Sequence, residues 1–219
     1  MNQLVIYGQG DFAKLMYKYF TDDSDIEVVA FCVDSNFREG NIFCELPMVN
    51  FDSINEIYPP AIYNIFIAIG YSNMRNRIHM YEKVKEKGYS CINYISSSAN
   101  VDNTLIIGEN NVIMQNVVIE PFVEIGNNNI IWSSCNICHN VTMTSHSFVA
   151  AQALIGGFVK INDNCFLGFN STIIQNLVLA DETLLATKSL LLKNTEKCSK
   201  YIGIPAKKVS EHIEKGIFV

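Results

Sequence analysis

His139 is the residue of this sequence that is best suited to proton transfer. Four histidines are present, and His139 and His146 fall in one repetitive stretch of the chain. A neutral imidazole titrates near physiological pH, so it can take a proton from an amine or a hydroxyl group and release it again. Gly157 follows His139 by eighteen residues. A glycine N–H beside the base could stabilise an oxygen that gains negative charge during a group transfer.

A second chemistry, phosphate binding, is indicated near the N-terminus. An apolar segment ending at Tyr7 runs into Gly8 and Gly10 and then into a helix-forming segment. Glycines at such a point let the backbone approach a phosphate at the helix N-terminus. A second apolar strand ends at Asp34, where an acid could bind a ribose. These features alone would favour NAD, but only about ninety residues precede the repeat, too few for a six-stranded dinucleotide fold.

Two arginines extend this predicted nucleotide site. Arg75 and Arg77 lie in an amphipathic segment that follows a third apolar strand. A planar guanidinium can donate two bonds to a diphosphate, whereas a plain surface charge is the alternative. The residues predicted to bind substrate are Gly8, Gly10, Asp34, Ser35, Gly70, Arg75 and Arg77.

The stretch from about residue 95 to residue 194 repeats every six residues and must position His139. The third place is apolar in every unit from Ile95 to Leu191, and the sixth place is Asn in eight of the fifteen units after Leu105. Asn tolerates the left-handed backbone that a sharp corner needs. Three units would close a triangular coil and stack residues eighteen apart at roughly 4.8 Å. We therefore predict a parallel β-helix with Gly157 above His139, the alternative being an ordinary β-sandwich.

Several motifs carry a resemblance to a known family. They are GQGDFAK, VDSN, IAIGYSNMRNR and NYISSSANVDN in the first half, and IWSSCNICHN, CFLGFNSTI and YIGIPAKKV in the second. With them the chain resembles the bacterial hexapeptide-repeat sugar acetyltransferases, grouped with sialic acid O-acetyltransferases and nucleotide-amino-sugar N-acetyltransferases. The resemblance implies a small Rossmann-like domain over residues 1–92, a left-handed parallel β-helix over 93–194 and a capping tail over 195–219. The handedness is implied by the resemblance alone.

The activity that the resemblance implies is acetyl-CoA-dependent N-acetylation of a nucleotide-linked amino-dideoxy sugar, for surface polysaccharide or glycan synthesis. His139 matches the general base of the family. Asn140 stands where relatives often have an acidic residue or a second histidine, and it would orient the imidazole. An O-acetyltransferase acting on a sugar or sialic acid is one alternative. A β-helix scaffold whose small domain senses NAD or a nucleotide is another.

The resemblance also implies a binding place for acetyl-CoA. In some relatives a second histidine near His146 contacts the coenzyme, but that position matches Phe148 better, and His146 could serve only as a corner residue. A G-x-P-A-K segment closes over the adenine end in relatives, and simple capping of the β-helix is its alternative role. The predicted coenzyme contacts are His146, Phe148, Gly157, Gln175, Lys193, Gly203, Pro205, Ala206 and Lys207.

Charge and composition limit the kinds of ligand that fit the sequence. The net charge of −6 argues against a general nucleic-acid binder. Seven of the sixteen positive residues lie between residues 188 and 215, which suits either a polyanion such as the 3′-phospho-ADP part of coenzyme A or a solvated end cap. Only two histidines lie in the repeat and they occupy different places, so we predict no metal site.

The apolar pattern and the cysteines predict the oligomeric state and the cellular compartment. The middle places of the repeat are largely apolar and would face outward, which predicts a homotrimer whose partner coils cover them. No apolar run is long enough to span a bilayer. Seven scattered cysteines suit reduced thiols, so a cytoplasmic protein is expected.

Overall fold

The computed structural model describes residues 2–219, which form two compact units. The first unit comprises residues 2–70 and 79–93, and the second comprises residues 71–78 and 94–219. Residues 71–78, which the sequence assigns to the N-terminal domain, therefore group with the β-helix. None of the helices within residues 2–219 is long and apolar enough to cross a membrane.

The first unit is built on a five-stranded sheet with the order β3-β4-β2-β1-β5. Strand β1 pairs in parallel with β2 and β5, and β2 pairs in parallel with β4, whereas β3 and β4 are antiparallel. The elements are β1 (Asn2–Tyr7), α1 (Asp11–Asp22), β2 (Ile26–Val33), β3 (Ile42–Phe43), β4 (Leu46–Asn50), α2 (Ile54–Ile57), β5 (Asn64–Ile67) and α3 (Met74–Glu86), with 3₁₀ turns at Ser35–Phe37 and Phe51–Ser53. The Rossmann-like prediction is confirmed.

Helix α1 packs because its apolar side chains recur at helical spacing. Ala13, Met16 and Phe20 are fully buried, three and four residues apart. The Phe20 ring meets the Phe66 ring of β5 edge to face, with centroids 5.1 Å apart. The parallel strands β1 and β2 end on the same side of the sheet, which brings the Gly8 turn close to the end of β2.

The second unit is a parallel β-helix of seventeen two-residue strands, and each strand from the first to the fourteenth pairs in parallel with the strand three further along. The strands are β6 (Tyr94–Ile95), β7 (Asn100–Val101), β8 (Ile106–Ile107), β9 (Val112–Ile113), β10 (Val118–Ile119), β11 (Glu124–Ile125), β12 (Ile130–Ile131), β13 (Asn136–Ile137), β14 (Thr142–Met143), β15 (Phe148–Val149), β16 (Leu154–Ile155), β17 (Lys160–Ile161), β18 (Phe166–Leu167), β19 (Thr172–Ile173), β20 (Val178–Leu179), β21 (Leu184–Leu185) and β22 (Leu190–Leu191). Strand register confirms the eighteen-residue stack, for example Asn136 beside Leu154.

The interior of the β-helix is filled by the first and third places of the repeat. Every third-place residue from Ile113 to Leu191 is at most 3% exposed. The smaller first-place side chains, such as Cys135 and Val159, are completely buried among them. Short strands that alternate inward and outward account for this pattern, as the sequence predicts.

The corners adopt the left-handed backbone that the sixth place predicts. Every sixth residue from Asn110 to Lys188 has a positive φ, between 53° and 66°. Seven of these residues are Asn, the residue type that best tolerates this conformation. His146 occupies one of the corners, with φ 66°.

A hairpin closes the C-terminal end. Strands β23 (Ser199–Gly203) and β24 (Ala206–Glu211) are antiparallel, and β23 extends the sheet beside β21. Tyr201 of β23 is buried in the core of the β-helix, and Ala206 packs against that core. The tail therefore covers the open end of the last coil.

Candidate functional site

A groove on the β-helix contains His139 and Gly157. It has a volume of about 590 Å³ and lies along one corner of successive coils. Its lining residues are Glu120, Cys138, His139, Leu154, Gly156, Gly157, Thr172, Ile173, Ile174 and Gln175. The coil stacking thus brings together His139, Gly157 and Gln175, three residues of the sequence-based prediction.

The His139 ring, which lines this groove, has two side-chain contacts, and its backbone has a third. Its Nδ1 lies 3.1 Å from Oδ1 of Asn140, and because an amide oxygen only accepts, Nδ1 carries the proton. The ring meets the Phe158 ring edge to face, with centroids 5.1 Å apart. The His139 carbonyl accepts a bond of 3.1 Å from the Phe158 N–H. Nε2 is therefore the nitrogen left to accept a proton from a substrate.

Gly157 lies directly against this ring. A Cβ added to Gly157 would come within 2.9 Å of both Cε1 and Nε2 of His139, so only glycine fits beside the imidazole as it stands. Within residues 2–219 the Gly157 N–H has no hydrogen-bond acceptor, while its carbonyl accepts from Asn176 at 2.9 Å. An N–H that is near an imidazole and has no acceptor within the described residues can donate to a substrate oxygen.

Glu120 is a groove residue that the sequence reading missed. Its Oε2 accepts a 2.8 Å hydrogen bond from the backbone N–H of His139. Glu120 occupies the fourth place of its unit, one coil before Cys138. An acidic residue nineteen positions before the base was the available signal, since the coil period brings positions eighteen apart together.

The glycine turn of the first unit has the features of a phosphate-binding loop. Gly8 has φ 139°, and a Cβ there would come within 2.8 Å of the Ala68 carbonyl, so the position requires glycine. Gly10 is the N-cap of the twelve-residue helix α1, and a Cβ on it would meet nothing within 4 Å. The N-terminus of α1 is thus open to an anion.

Asp34 lies at the end of β2 in a polar cluster of the first unit. Its Oδ1 accepts bonds from the Tyr7 hydroxyl at 2.8 Å and from Lys83 Nζ at 2.6 Å. Burial and the hydrogen bond to Asp34 raise the pKa of Tyr7, so the phenol stays protonated. The sequence reading missed Tyr7 and Lys83. Ser35 follows in an exposed 3₁₀ turn, and Gly70 is half-buried with open space around its Cα.

The two arginines do not form the predicted diphosphate contact. Arg75 donates through Nε and Nη2 to the Glu182 carboxylate, at 2.6 and 2.7 Å, and its guanidinium also bonds two backbone carbonyls of the tail. Arg77 is 1% exposed and donates to the Asn128 carbonyl at 2.6 Å. Both guanidinium groups are committed to the β-helix unit, which corrects their assignment as substrate ligands.

His146 belongs to a stack of buried corner side chains rather than to the groove. Its Nδ1 lies 3.0 Å from Nδ2 of Asn128, and Oδ1 of Asn128 accepts a 2.9 Å hydrogen bond from Nδ2 of Asn110. Burial, aided by the positive charge of Arg77, lowers the pKa of His146 to about 4. The ring is therefore neutral near pH 7 and accepts from Asn128, which favours the corner role over coenzyme contact.

Phe148 is also enclosed by its own chain. It is 2% exposed, stacks on Phe166 at 5.2 Å and contacts the Tyr71 ring at 4.3 Å. A coenzyme cannot reach a ring covered in this way, so the prediction that Phe148 contacts the coenzyme is corrected.

Part of the prediction that the middle places of the repeat face outward is corrected as well. Four of these residues are buried, namely Val112, Ile130, Phe148 and Phe166, whereas Ile106, Leu154 and Val178 are exposed.

The predicted coenzyme residues of the tail lie at the end of the β-helix. Gly203, with φ 109°, and Ala206 are paired across the β23–β24 turn, and Pro205 is exposed between them. Within residues 2–219 the side chains of Lys193 and Lys207 form no ion pair, whereas Lys197 and Lys208 pair with acids. Two exposed ammonium groups are thus available to an anion. No cluster of three metal-ligating side chains occurs in the same residues.

Two domain-family models match the chain, and the boundary between them lies close to the boundary between the two compact units near residue 93. Residues 3–84 match the PglD N-terminal domain, and residues 91–198 match the GMPPB C-terminal domain. No curated protein sequence gives a significant match.

Solved structures match over almost the whole length. PerB from Caulobacter crescentus, in complex with CoA and GDP-perosamine, has a TM-score of 0.84 at 20% identity, covering 96% of this chain and 98% of that one. The acetyltransferase domain of PglB from Neisseria gonorrhoeae, in complex with acetyl coenzyme A, has a TM-score of 0.84 at 17% identity, covering 95% and 100%. WeeI from Acinetobacter baumannii has a TM-score of 0.79 at 17% identity, with coverage of 95% and 100%. The chain therefore shares with these proteins the fold of a Rossmann-like N-terminal domain followed by a left-handed parallel β-helix.

Proposed function

We propose that the protein is an acetyl-CoA-dependent N-acetyltransferase acting on the amino group of a nucleotide-linked amino-dideoxy sugar. The observation that carries the proposal is the groove in which the His139 ring lies against Gly157, whose N–H has no acceptor within residues 2–219. A general base beside a free backbone donor suits acyl transfer from a thioester. The fold shared with the GDP-perosamine N-acetyltransferase from Caulobacter crescentus agrees with this reaction.

His139 acts as the base in this proposal. The neutral sugar amine attacks the acetyl carbonyl carbon, forming the N–C bond as the carbonyl oxygen gains a negative charge. Nε2 of His139 accepts the proton that the nitrogen must lose, while Asn140 holds Nδ1. The C–S bond then breaks, and the imidazolium returns the proton to the leaving thiolate. The products are the N-acetyl sugar and CoA with a free thiol.

Gly157 stabilises the charge that develops on the acetyl oxygen. Its N–H is near the imidazole and is not used within the described fold. Backbone donors of this kind typically contribute about 3 to 4 kcal/mol to transition-state stabilisation. Gln175 lines the same groove, and in this proposal it contacts the arm of the coenzyme.

The nucleotide part of the sugar binds the first unit. The open N-terminus of α1 at Gly10 receives a phosphate, and Asp34 with Ser35 lies at the end of the neighbouring strand. Gly8 shapes this turn. Arg75 and Arg77 take no part, since both guanidinium groups are held by the β-helix unit.

A homotrimer would complete the coenzyme site. Ile106, Phe122 and Phe158 of the β-helix unit are 64%, 61% and 52% exposed, and the Phe158 ring contacts His139. A wet apolar surface of this kind marks an interface. A neighbouring subunit that covers it would enclose acetyl-CoA beside His139, with Lys193 and Lys207 available to its phosphates. Sedimentation of the protein as a monomer at micromolar concentration would contradict this assembly.

The site of action that we propose is the cytoplasm, in synthesis of a surface glycan. None of the seven cysteines forms a disulfide, which suits a reducing compartment.

The reaction is tested by following release of free thiol from acetyl-CoA with a panel of UDP-, GDP- and dTDP-linked amino sugars. We expect release with at least one amine and a product heavier by one acetyl group. Release with sugar hydroxyls but with no amine would replace the proposal by O-acetylation. Binding of nucleotides without any acetyl transfer would indicate a sensor.

A further inference from the structure

Among the residues that line the groove, only Glu120 has a carboxyl group, and it contacts the backbone of His139. Its Oε2 accepts the backbone N–H of His139 at 2.8 Å, and it lines the same groove as His139 and Gly157. The other lining residues besides His139 are neutral. Its negative charge also contributes, after burial, to raising the pKa of the neighbouring Cys138 thiol, so the field of Glu120 acts within this corner.

The imidazolium formed during proton transfer needs a negative partner, and Asn140 cannot supply one. The amide oxygen of Asn140 orients Nδ1 through its dipole but carries no net charge. A carboxylate stabilises an imidazolium far better than an amide does, particularly in a groove that a substrate has closed to water. Glu120 is the carboxylate that the groove offers for this purpose.

We propose that Glu120 is a positioning residue for the N-acetyl transfer, with two separable effects on His139. Its carboxylate oxygen anchors the backbone of the catalytic corner through the His139 N–H, and its negative charge stabilises the imidazolium. The inference rests on the proposed function, because it assumes that His139 accepts a proton from the substrate amine. In this proposal Glu120, one coil away, stabilises the imidazolium in place of an acidic residue next to His139, where this chain has Asn140.

Two substitutions separate the effects. Glu120→Gln keeps a carbonyl oxygen that can accept the His139 N–H but removes the charge, whereas Glu120→Ala removes both. With the best amine substrate of the wild-type enzyme, we expect Glu120→Gln to lower kcat about tenfold or more while the KM for acetyl-CoA changes less than about twofold. Formate added to Glu120→Ala should restore part of kcat, because it supplies a carboxylate in the space that the side chain leaves.

Glu124→Gln is the matched control. Glu124 is exposed on the next strand, outside the groove, so its substitution should leave kcat unchanged. Wild-type kcat in Glu120→Gln would overturn the proposal even if Glu120→Ala failed to fold. Loss of turnover in His139→Ala together with full turnover in Glu120→Gln would refute the role of Glu120 alone. Absence of acetyl transfer by the wild-type enzyme would instead refute the proposed function.

Discussion

Substitution of Gly157 by Ala tests the geometry of the groove without removing any catalytic group. The added Cβ would lie 2.9 Å from Cε1 and Nε2 of His139 and 3.4 Å from Nδ1. Carbon atoms pack at about 3.5 to 4.0 Å, so the ring must retreat by roughly 0.5 to 1 Å. The Gly157 N–H itself is retained. The variant therefore displaces the base and leaves the proposed oxyanion donor in place.

The expected loss follows from that displacement. A misplacement of about 1 Å costs on the order of a hundredfold in rate, so kcat of Gly157→Ala should fall by roughly 10²-fold. The fold should be little affected, because the clashing atoms belong to the exposed end of a side chain that can rotate away. Initial rates of thiol release, with thermal unfolding in parallel, measure the two effects separately.

A second glycine supplies the contrast. A Cβ on Gly126 would come within 2.6 Å of the Thr144 carbonyl, which is backbone and cannot move aside. Gly126→Ala should therefore lower the melting temperature, whereas Gly157→Ala should not. In a His139→Ala background, Gly157→Ala should cause almost no further loss of kcat, since the ring that it displaces is absent. Wild-type kcat in Gly157→Ala, or full additivity with His139→Ala, would refute the proposed geometry.

Three further predictions address the nucleotide site and the corner stack. Asp34→Ala should raise the KM for the nucleotide sugar and spare that for acetyl-CoA, and equal effects in steady-state kinetics would argue against separate sites. Arg77→Met should lower the free energy of unfolding in urea by about 1 to 3 kcal/mol, because the buried Asn128 carbonyl loses its donor. A rise in the KM for the nucleotide sugar at unchanged stability would instead show that Arg77 binds the substrate. The pKa of His146 is about 4 in the folded protein, below its ordinary value of 6.5. As the pH falls, the unfolded chain therefore binds the proton before the folded protein does. The free energy of unfolding should decline from about pH 6.5 to pH 4. His146→Asn should unfold with a smaller decline over that range, and identical pH profiles in denaturant titrations would contradict the burial of a neutral ring.

The β-helix was predictable because its repeat encodes both the interior and the corners. A buried third place and a left-handed sixth place recur at fixed spacing, so the position of Gly157 beside His139 followed from counting. The stack also explains why Gly157 is a glycine, since the imidazole occupies the space of a side chain.

The arginines, Phe148 and Glu120 were not predictable in the same way. Arg75 and Arg77 find partners 107 and 51 residues away, and no local pattern distinguishes such a pairing from ligand binding. Phe148 occupies an outward place of the repeat but is covered by Tyr71, a residue from before the repeat. Glu120 contacts the backbone N–H of His139, nineteen residues further along the chain. Counting in coils of eighteen residues pairs Glu120 with Cys138 instead.

The most direct test of the central claim is the turnover of His139→Ala with a nucleotide amino sugar and acetyl-CoA. Because a general base contributes on the order of 10² to 10⁴ in rate, kcat should fall at least about a hundredfold, with acetyl-CoA binding and assembly unchanged. His79→Ala, which alters an exposed histidine of the first unit, is the control and should retain full activity. Near wild-type turnover of His139→Ala, at a pH where the substrate amine is mostly protonated, would contradict the account.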